Sequence, residues 1–319
     1  MEYTSPGRII YLKRKDGDGC FMIKEVLKEW NLQDSPVQIH PTAWSVNDDY
    51  VIKEYSDRNA LLRNIEMFKI LHKEGIPVPV LCPLPGGKEF YEKHDKMYLL
   101  TSKIKGNSIV NISQCDEAWF FQFGTILAKL HLTFRKCEVT LRVWNNSLLE
   151  EMKGWVSANL KKFSPEYISG DEIEKAIMQL SQDYQDLPKQ LIHRDVHLGN
   201  FLFEGKDFTG YIDFDLSQSN IRIFDLCYFL LGILVEEDNY RVNVEHWYIV
   251  IRQVLDGYHS LAELEQIEKL SIPCVMKNIE LLFTAYFLSI GDERLAKASA
   301  DLFYFVCRNE EGILDAIIK

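Results

Sequence analysis

The chain contains no Cys-x-x-Cys pair, no apolar run long enough to cross a bilayer and no excess of basic charge. Its seven cysteines (Cys20, Cys82, Cys115, Cys137, Cys227, Cys274 and Cys307) lie far apart, as expected for reduced, buried or incidental thiols of a cytoplasmic protein. The longest apolar run, Leu226 to Val235, is about half a membrane span and reads as a buried helix, so no membrane partner is expected. A net charge of −11 and a pI near 5.3 argue against a general nucleic-acid surface, while leaving room for a local basic groove around a phosphorylated small molecule. The opening MEYTSPGRIIYLKRK lacks the basic start and apolar core of a signal peptide, so secretion is not expected. No repeat or low-complexity tract interrupts the 319 residues, which suffice for two packed domains or one large one.

What is present is a change of periodicity along the chain. Ile23, Val26, Leu27 and Trp30 share one helical face. Trp44 to Val46 and Tyr50 to Tyr55, separated by Asn47-Asp48-Asp49, read as a hairpin. Asp57 to Lys73 reads as a helix with Leu61, Ile65 and Phe68 inside, ended by Gly75 and Pro77. Two short strands follow, one bracketed by Pro85-Gly86-Gly87 and Glu92 to Asp95, the other Met97 to Thr101. Beyond Lys105-Gly106 helices dominate, at Trp119 to His131, Leu148 to Lys162, Ile173 to Tyr184 and from Asp225 onward, interrupted by a β island at 191 to 213. The expected fold class is α+β: a small sheet lobe with one long helix (1–102), a larger helical lobe (103–319), and a ligand cleft between them.

The island carries the chemistry. LIHRDVHLGN holds Asp195, with Asn200 five residues later and Asp213 eighteen later in Tyr211-Ile212-Asp213-Phe214-Asp215. Phosphoryl transfer needs a carboxylate to take the proton of the attacking hydroxyl and hard oxygen ligands for magnesium, and these three side chains supply that set in order. It also needs a strand lysine on the nucleotide phosphates. Lys53 in Tyr-Val-Ile-Lys fits, and Glu66 on the next helix is positioned in sequence to pair with it.

These residues resemble the aminoglycoside phosphotransferase family of small-molecule kinases, with its choline kinase-like and homoserine kinase-like branches. The resemblance rests on Tyr50 to Lys53, Arg63 to Pro79, Leu127 to His131, His193 to Asn200, Ile212 to Asp215 and Asp225. It implies a bilobal protein-kinase-like fold and transfer of the γ-phosphoryl group of ATP or GTP, with Mg2+, to a hydroxyl of an amino sugar, amino alcohol or hydroxy amino acid. It further implies Asp195 as catalytic base and Asn200 and Asp213 as metal ligands. Lys53 with Glu66 would hold phosphate, Asp225 would brace the catalytic loop, and Thr101, Ser102, Lys103 and Ile104 would meet the base. His197 is expected to face the phosphates or the acceptor.

Two departures stand out. The segment His40-Pro41-Thr42-Ala43-Trp44, where the family has a phosphate-covering loop, lacks glycine, which keeps open a nucleotide-binding scaffold without transfer activity. Arg194 spells His-Arg-Asp as in protein kinases, but His197 stands where those enzymes carry lysine, Asp213-Phe214-Asp215 replaces Asp-Phe-Gly, and eleven residues before Asp225 leave no activation segment. Small-molecule phosphorylation is therefore the expected reading. His193, Asp195 and His197 as a zinc site would leave Lys53, Glu66 and Asp213 unexplained, so His193 is expected to hold the loop. His131 is expected to pack at its helix end. Asp215 divides evenly between a second metal and local backbone bonds. Glu236-Glu237-Asp238 reads as a solvated loop rather than a cation site, and Trp247, Tyr248 and Tyr258 as core rather than an aromatic box.

Overall fold

The computed structural model of the protein describes residues 17–109, 112, 115–141, 144–163, 166–234 and 243–318. The MEYTSPGRIIYLKRK stretch and the Glu236-Glu237-Asp238 run lie outside them. Two compact units are formed, and the chain visits the first three times: up to Ile109, briefly from Val139, and again over Leu198–Leu216.

In the first unit, α1 (Gly17–Leu27) buries Ile23, Val26 and Leu27, spaced as one helical stripe, and Trp30 follows in a single 3-10 turn. Strand β1 (Pro36–His40) is not evident from periodicity, because its apolar Val37 and Ile39 point outward and are more than half exposed. Proline is tolerated at its first residue because the strand lies at a sheet edge. β2 (Ala43–Val46) and β3 (Tyr50–Tyr55) form the expected hairpin, with Asn47 at positive φ accepting from the Asp49 N–H at 2.7 Å. α2 (Arg58–Lys73) is capped by the Asp57 carboxylate, which accepts from the Asn59 N–H. β4 (Tyr91–Lys93) starts slightly later than expected and turns at His94 and Asp95 into β5 (Lys96–Ser102). The antiparallel order is β1-β2-β3-β5-β4, and Trp44, Ile52 and Leu100 on one face pack with α1.

After β6 (Asn107–Ser108), helices of the second unit begin with α3 (Glu117–Cys137), longer than expected because Phe134 and Cys137 extend its apolar stripe. α4 (Leu148–Glu151) continues through a π-helical stretch into α5 (Ser157–Phe163), and α6 (Gly170–Asp183) leads to β7 (Lys189–Ile192). The chain then returns to the first unit as the hairpin β8 (Phe201–Glu204) and β9 (Asp207–Tyr211), with β6 beside β8. β10 (Gln218–Ile221) pairs with β7 in the second unit. Its polar sequence, Gln-Ser-Asn-Ile, hides it from pattern reading.

The remainder is helical: α7 (Ile223–Ile233), α8 (Val244–His259), α9 (Gln266–Ser289), α10 (Glu293–Arg308) and α11 (Glu310–Ile318). α9 is buried on nearly every side and forms the centre of the unit. Trp247 and Tyr258 are fully buried, in keeping with core packing, and the Trp247 Nε1–H donates to the Leu230 carbonyl at 2.9 Å. No helix among the described residues is long and apolar enough to cross a membrane.

α3 and α8 approach through glycines. A Cβ on Gly124 would collide with the Val254 carbonyl and the Tyr258 nitrogen, whereas one on Gly232 in α7 would meet nothing within 4 Å. Gly124→Ala is therefore expected to lower stability by about 1 to 3 kcal/mol. Gly232→Ala should raise it by up to about 1 kcal/mol through a less flexible unfolded chain, and denaturant midpoints of both variants distinguish the two effects.

Candidate active site

Strand register sorts the polar residues of the first unit onto one sheet face. Directly opposed residues of antiparallel strands point to the same side. Gln38, Trp44, Ile52 and Leu100 form one cross-strand row, and its last three side chains enter the core. The alternate rows therefore line the other face: Val37, Ser45, Val51 and Thr101 in one, Ala43, Lys53 and Leu99 in the next, where His40 pairs with Ala43 beyond a bulge after Gln38. A strip of valine and small hydroxyl side chains thus lies one residue pair, roughly 7 Å along the strand, from a lysine.

Lys53 is four-fifths buried, and its Nζ lies 2.9 Å from Asp213 Oδ1 and 2.5 Å from Asp215 Oδ2. Burial works against the charged ammonium, but Asp215 and then Asp213 outweigh it and hold its pKa well above the ordinary lysine value. Asp215 is fixed in turn: its Oδ1 accepts from Asn64 Nδ2 at 2.5 Å and from the Tyr55 hydroxyl at 3.3 Å. Burial, reinforced by the Asp215 charge, keeps the Tyr55 phenol protonated and able to donate. Between the two carboxylates Phe214 is 1% exposed and meets Phe68 of α2 edge-on at 5.8 Å, which anchors the loop while Asp213 adopts a φ of 62°.

The expected Lys53 to Glu66 pair is not formed. Glu66 is exposed and its Oε1 lies 2.6 Å from Lys69. Helix geometry explains this: Leu61, Asn64, Ile65, Phe68 and Leu71 make the buried stripe of α2, and Glu66 stands two residues, about 200°, beyond Asn64. Asn64 is the α2 residue that reaches the lysine's partner.

Asn200 and Asp213 are brought close by the β8 to β9 hairpin, in which Phe201 opposes Tyr211 and the Ile212 N–H donates to the Asn200 carbonyl at 3.0 Å. A carboxylate and a carboxamide oxygen suit a hard divalent cation that keeps other positions for phosphate or water, so this pair fits magnesium. No group of three or more His, Cys, Asp or Glu side chains able to hold a metal occurs among the described residues. Of the expected base-binding segment, Thr101 is buried, and the Ser102 and Lys103 N–H groups are engaged with the carbonyls of Val80 (2.8 Å) and Asp49 (2.7 Å). Ile104 follows these two.

In the second unit, Asp195 is 5% exposed. The Tyr228 hydroxyl donates to its Oδ1 at 3.2 Å, and His197 Nε2 lies 3.6 Å from its Oδ2. Tyr228 is held by stacking on Phe224 and Phe283. The loop backbone is bound to Asp225, fully buried at the start of α7, whose carboxylate accepts from the N–H groups of His193 (2.8 Å) and Arg194 (2.9 Å) and from His131 Nε2 (2.9 Å). Tyr258, whose pKa burial raises, donates to His131 Nδ1 at 2.8 Å, leaving the Nε2 proton for Asp225. His193 Nδ1 accepts from the Asp195 N–H at 3.4 Å, a loop-holding contact. Arg194, at φ 72°, donates to Glu151 Oε2 at 2.8 Å and lies over the Phe224 ring.

Asp215 as the lysine's partner, Asn64, Tyr55 and Tyr228 are not singled out by sequence reading. Only Asn64 carries a signal, as a polar residue on an otherwise apolar stripe.

Comparison with known proteins matches residues 37–264 to the phosphotransferase enzyme family. A homoserine kinase of Zymomonas mobilis subsp. mobilis is 26% identical over 222 residues, 67% of this chain and 64% of the relative. A homoserine kinase of Methylobacillus glycogenes is 24% identical over 234 residues, 72% of this chain and 69% of the relative. The chain thus spans just under two thirds of the first relative's length and slightly more of the second's. Among solved structures, an amicoumacin kinase in complex with AMP-PNP and Ca2+ superposes with a TM-score of 0.67 at 19% identity, covering 92% of each chain. The GDP complex of wild-type aminoglycoside 2'-phosphotransferase-IIIa gives 0.68 at 14% identity, covering 93% of this chain and 100% of the other. The α+β, protein-kinase-like fold is shared with these proteins.

Removing the Asp225 carboxylate strands two loop amides and a histidine in a buried site. Asp225→Ala is expected to cost about 3 to 5 kcal/mol in chemical denaturation, and Asp225→Asn less, because one amide oxygen still accepts.

Proposed function

Because this chain belongs to the phosphotransferase enzyme family, we propose that it moves the γ-phosphoryl group of ATP to a hydroxyl of a small molecule, with a hydroxy amino acid of the homoserine type as the first acceptor to test. The observation that carries this reading is the Lys53 ion pair with Asp213, two residues 160 apart in sequence that meet at 2.9 Å. The homoserine kinases among its relatives motivate the acceptor class.

In this reading Asp195 accepts the proton of the attacking hydroxyl, and Tyr228 and the Asp225-bound loop hold its carboxylate in place. Lys53 lies against the phosphates, oriented by Asp215. Asn200 and Asp213 would hold magnesium, which would neutralise phosphate charge. The purine rests on the Val37 to Thr101 strip, and with the Ser102 and Lys103 N–H groups already engaged, Ile104 supplies the backbone donor to its edge.

The test is ADP release with Mg·ATP over a panel of homoserine, amino alcohols and amino sugars. Turnover with one acceptor class is expected. Asp195→Asn should lower kcat by roughly two to four powers of ten with the KM for ATP little changed. No acceptor-dependent ADP release, or full activity of that variant, refutes the reading.

A second comparison checks the lysine's partner. Asp215→Asn is expected to weaken Mg·ATP binding about tenfold, whereas Glu66→Gln should leave it within about twofold, as calorimetric titration would measure.

A further inference from the structure

The turn joining β1 to β2 raises a hydrogen-bond question of its own. A loop that covers phosphates ordinarily uses backbone N–H groups, which glycines leave accessible. Here the turn residues are Pro41 and Thr42. Pro41 has no N–H, and the Thr42 N–H donates to His40 Nδ1 at 3.3 Å. The next residue, Ala43, pairs with His40 in the sheet ladder. Backbone donors at the turn tip are therefore absent or engaged.

The side chain of His40 is differently placed. A bulge between Gln38 and His40 sets it opposite Ala43, the neighbour of Lys53 in the next strand, two strand spacings or roughly 9.5 Å from the lysine. The charges of Lys53, Asp213 and Asp215 all act on its imidazole, which puts the ring on the lysine's side of the sheet. Ala43 between them contributes only a methyl group. Nδ1 also lies 3.0 Å from the Thr42 hydroxyl. An Nδ1 that accepts from a backbone N–H carries no proton, so in the neutral ring Nε2 is the donor. Burial, and then the charge of Lys53, lower the pKa of this ring, which favours that neutral tautomer.

We infer that the His40 imidazole replaces the missing glycine amides, its Nε2–H donating to the phosphate oxygens of the bound nucleotide opposite Lys53. Thr42 is then a positioning residue: its N–H and hydroxyl select the tautomer and aim the ring. The inference rests on the nucleotide reading above, and the substrate it concerns is the phosphate chain rather than the base.

The experiment compares binding of Mg·ATP and of adenosine to wild type, His40→Ala and His40→Gln, with thermal midpoints recorded for each. Gln keeps an amide N–H at similar reach. His40→Ala is expected to weaken Mg·ATP about tenfold to a hundredfold, the effect of one hydrogen bond to a charged group, while adenosine binding and the midpoint stay as in wild type. His40→Gln should regain most of the loss. Mg·ATP binding by His40→Ala within about twofold of wild type, or a parallel loss of adenosine binding, overturns the inference while leaving the nucleotide reading intact. Wild type that binds Mg·ATP no better than adenosine overturns both.

Discussion

An ammonium held between two carboxylates of one loop organises the first unit. Lys53 on β3 draws Asp213 and Asp215 together, and each carboxylate would repel the other without it. The arrangement depends on the apolar residue between them. Phe214, buried against Phe68, fixes the loop so that both acidic side chains turn toward the same cation. Asn64 and Tyr55 then satisfy the remaining oxygen of Asp215, while Asp213 stands at the end of the hairpin beside Asn200. Two aspartates two residues apart thus acquire different environments from their neighbours alone.

A second buried carboxylate does comparable service in the other unit. Asp225 receives two consecutive backbone N–H groups and an imidazole, so the loop that carries Asp195 is pinned at the residues just before it. The pinning forces Arg194 to positive φ, a conformation that costs a non-glycine residue about 1 kcal/mol or more and persists only where surrounding bonds impose it. Tyr228, one turn along α7 from Asp225, reaches Asp195 itself. The loop backbone and the Asp195 carboxylate are thereby tied to the same helix.

How much of this is legible in the sequence depends on distance along the chain. The Asp195, Asn200 and Asp213 pattern lies within nineteen residues and can be read as spacing. So can the β2 to β3 hairpin and the start of α2, where local turn and capping chemistry decide. The partner of Lys53 cannot be read that way, because order along the chain identifies the right helix but not the right face. Periodicity in α2 does identify the face, and it points to Asn64 rather than Glu66. β1 and β10 escape for a related reason: the first shows its apolar residues to solvent, and the second has almost none. The state of the Ser102 and Lys103 amides follows from pairing with Val80 and Asp49, contacts that no local pattern encodes.

Arg194 is the letter of the loop that points toward protein kinases, where an arginine before the catalytic aspartate is available to a phosphorylated activation segment. Its surroundings exclude that use here. The Arg194 side chain is 11% exposed, its guanidinium bound to Glu151, whose side chain is 3% exposed, and placed 4.1 Å from the Phe224 ring centroid. Breaking such a buried pair would leave Glu151 charged without its partner, at a cost of several kcal/mol, so an incoming phosphate would have to compete with an ion already in place. Phe224 stands beside Asp225 on α7, and Glu151 closes α4. The arginine therefore joins the loop to two helices at the position where Asp225 bends its backbone, and its charge serves the fold of the loop rather than recognition of a modified segment.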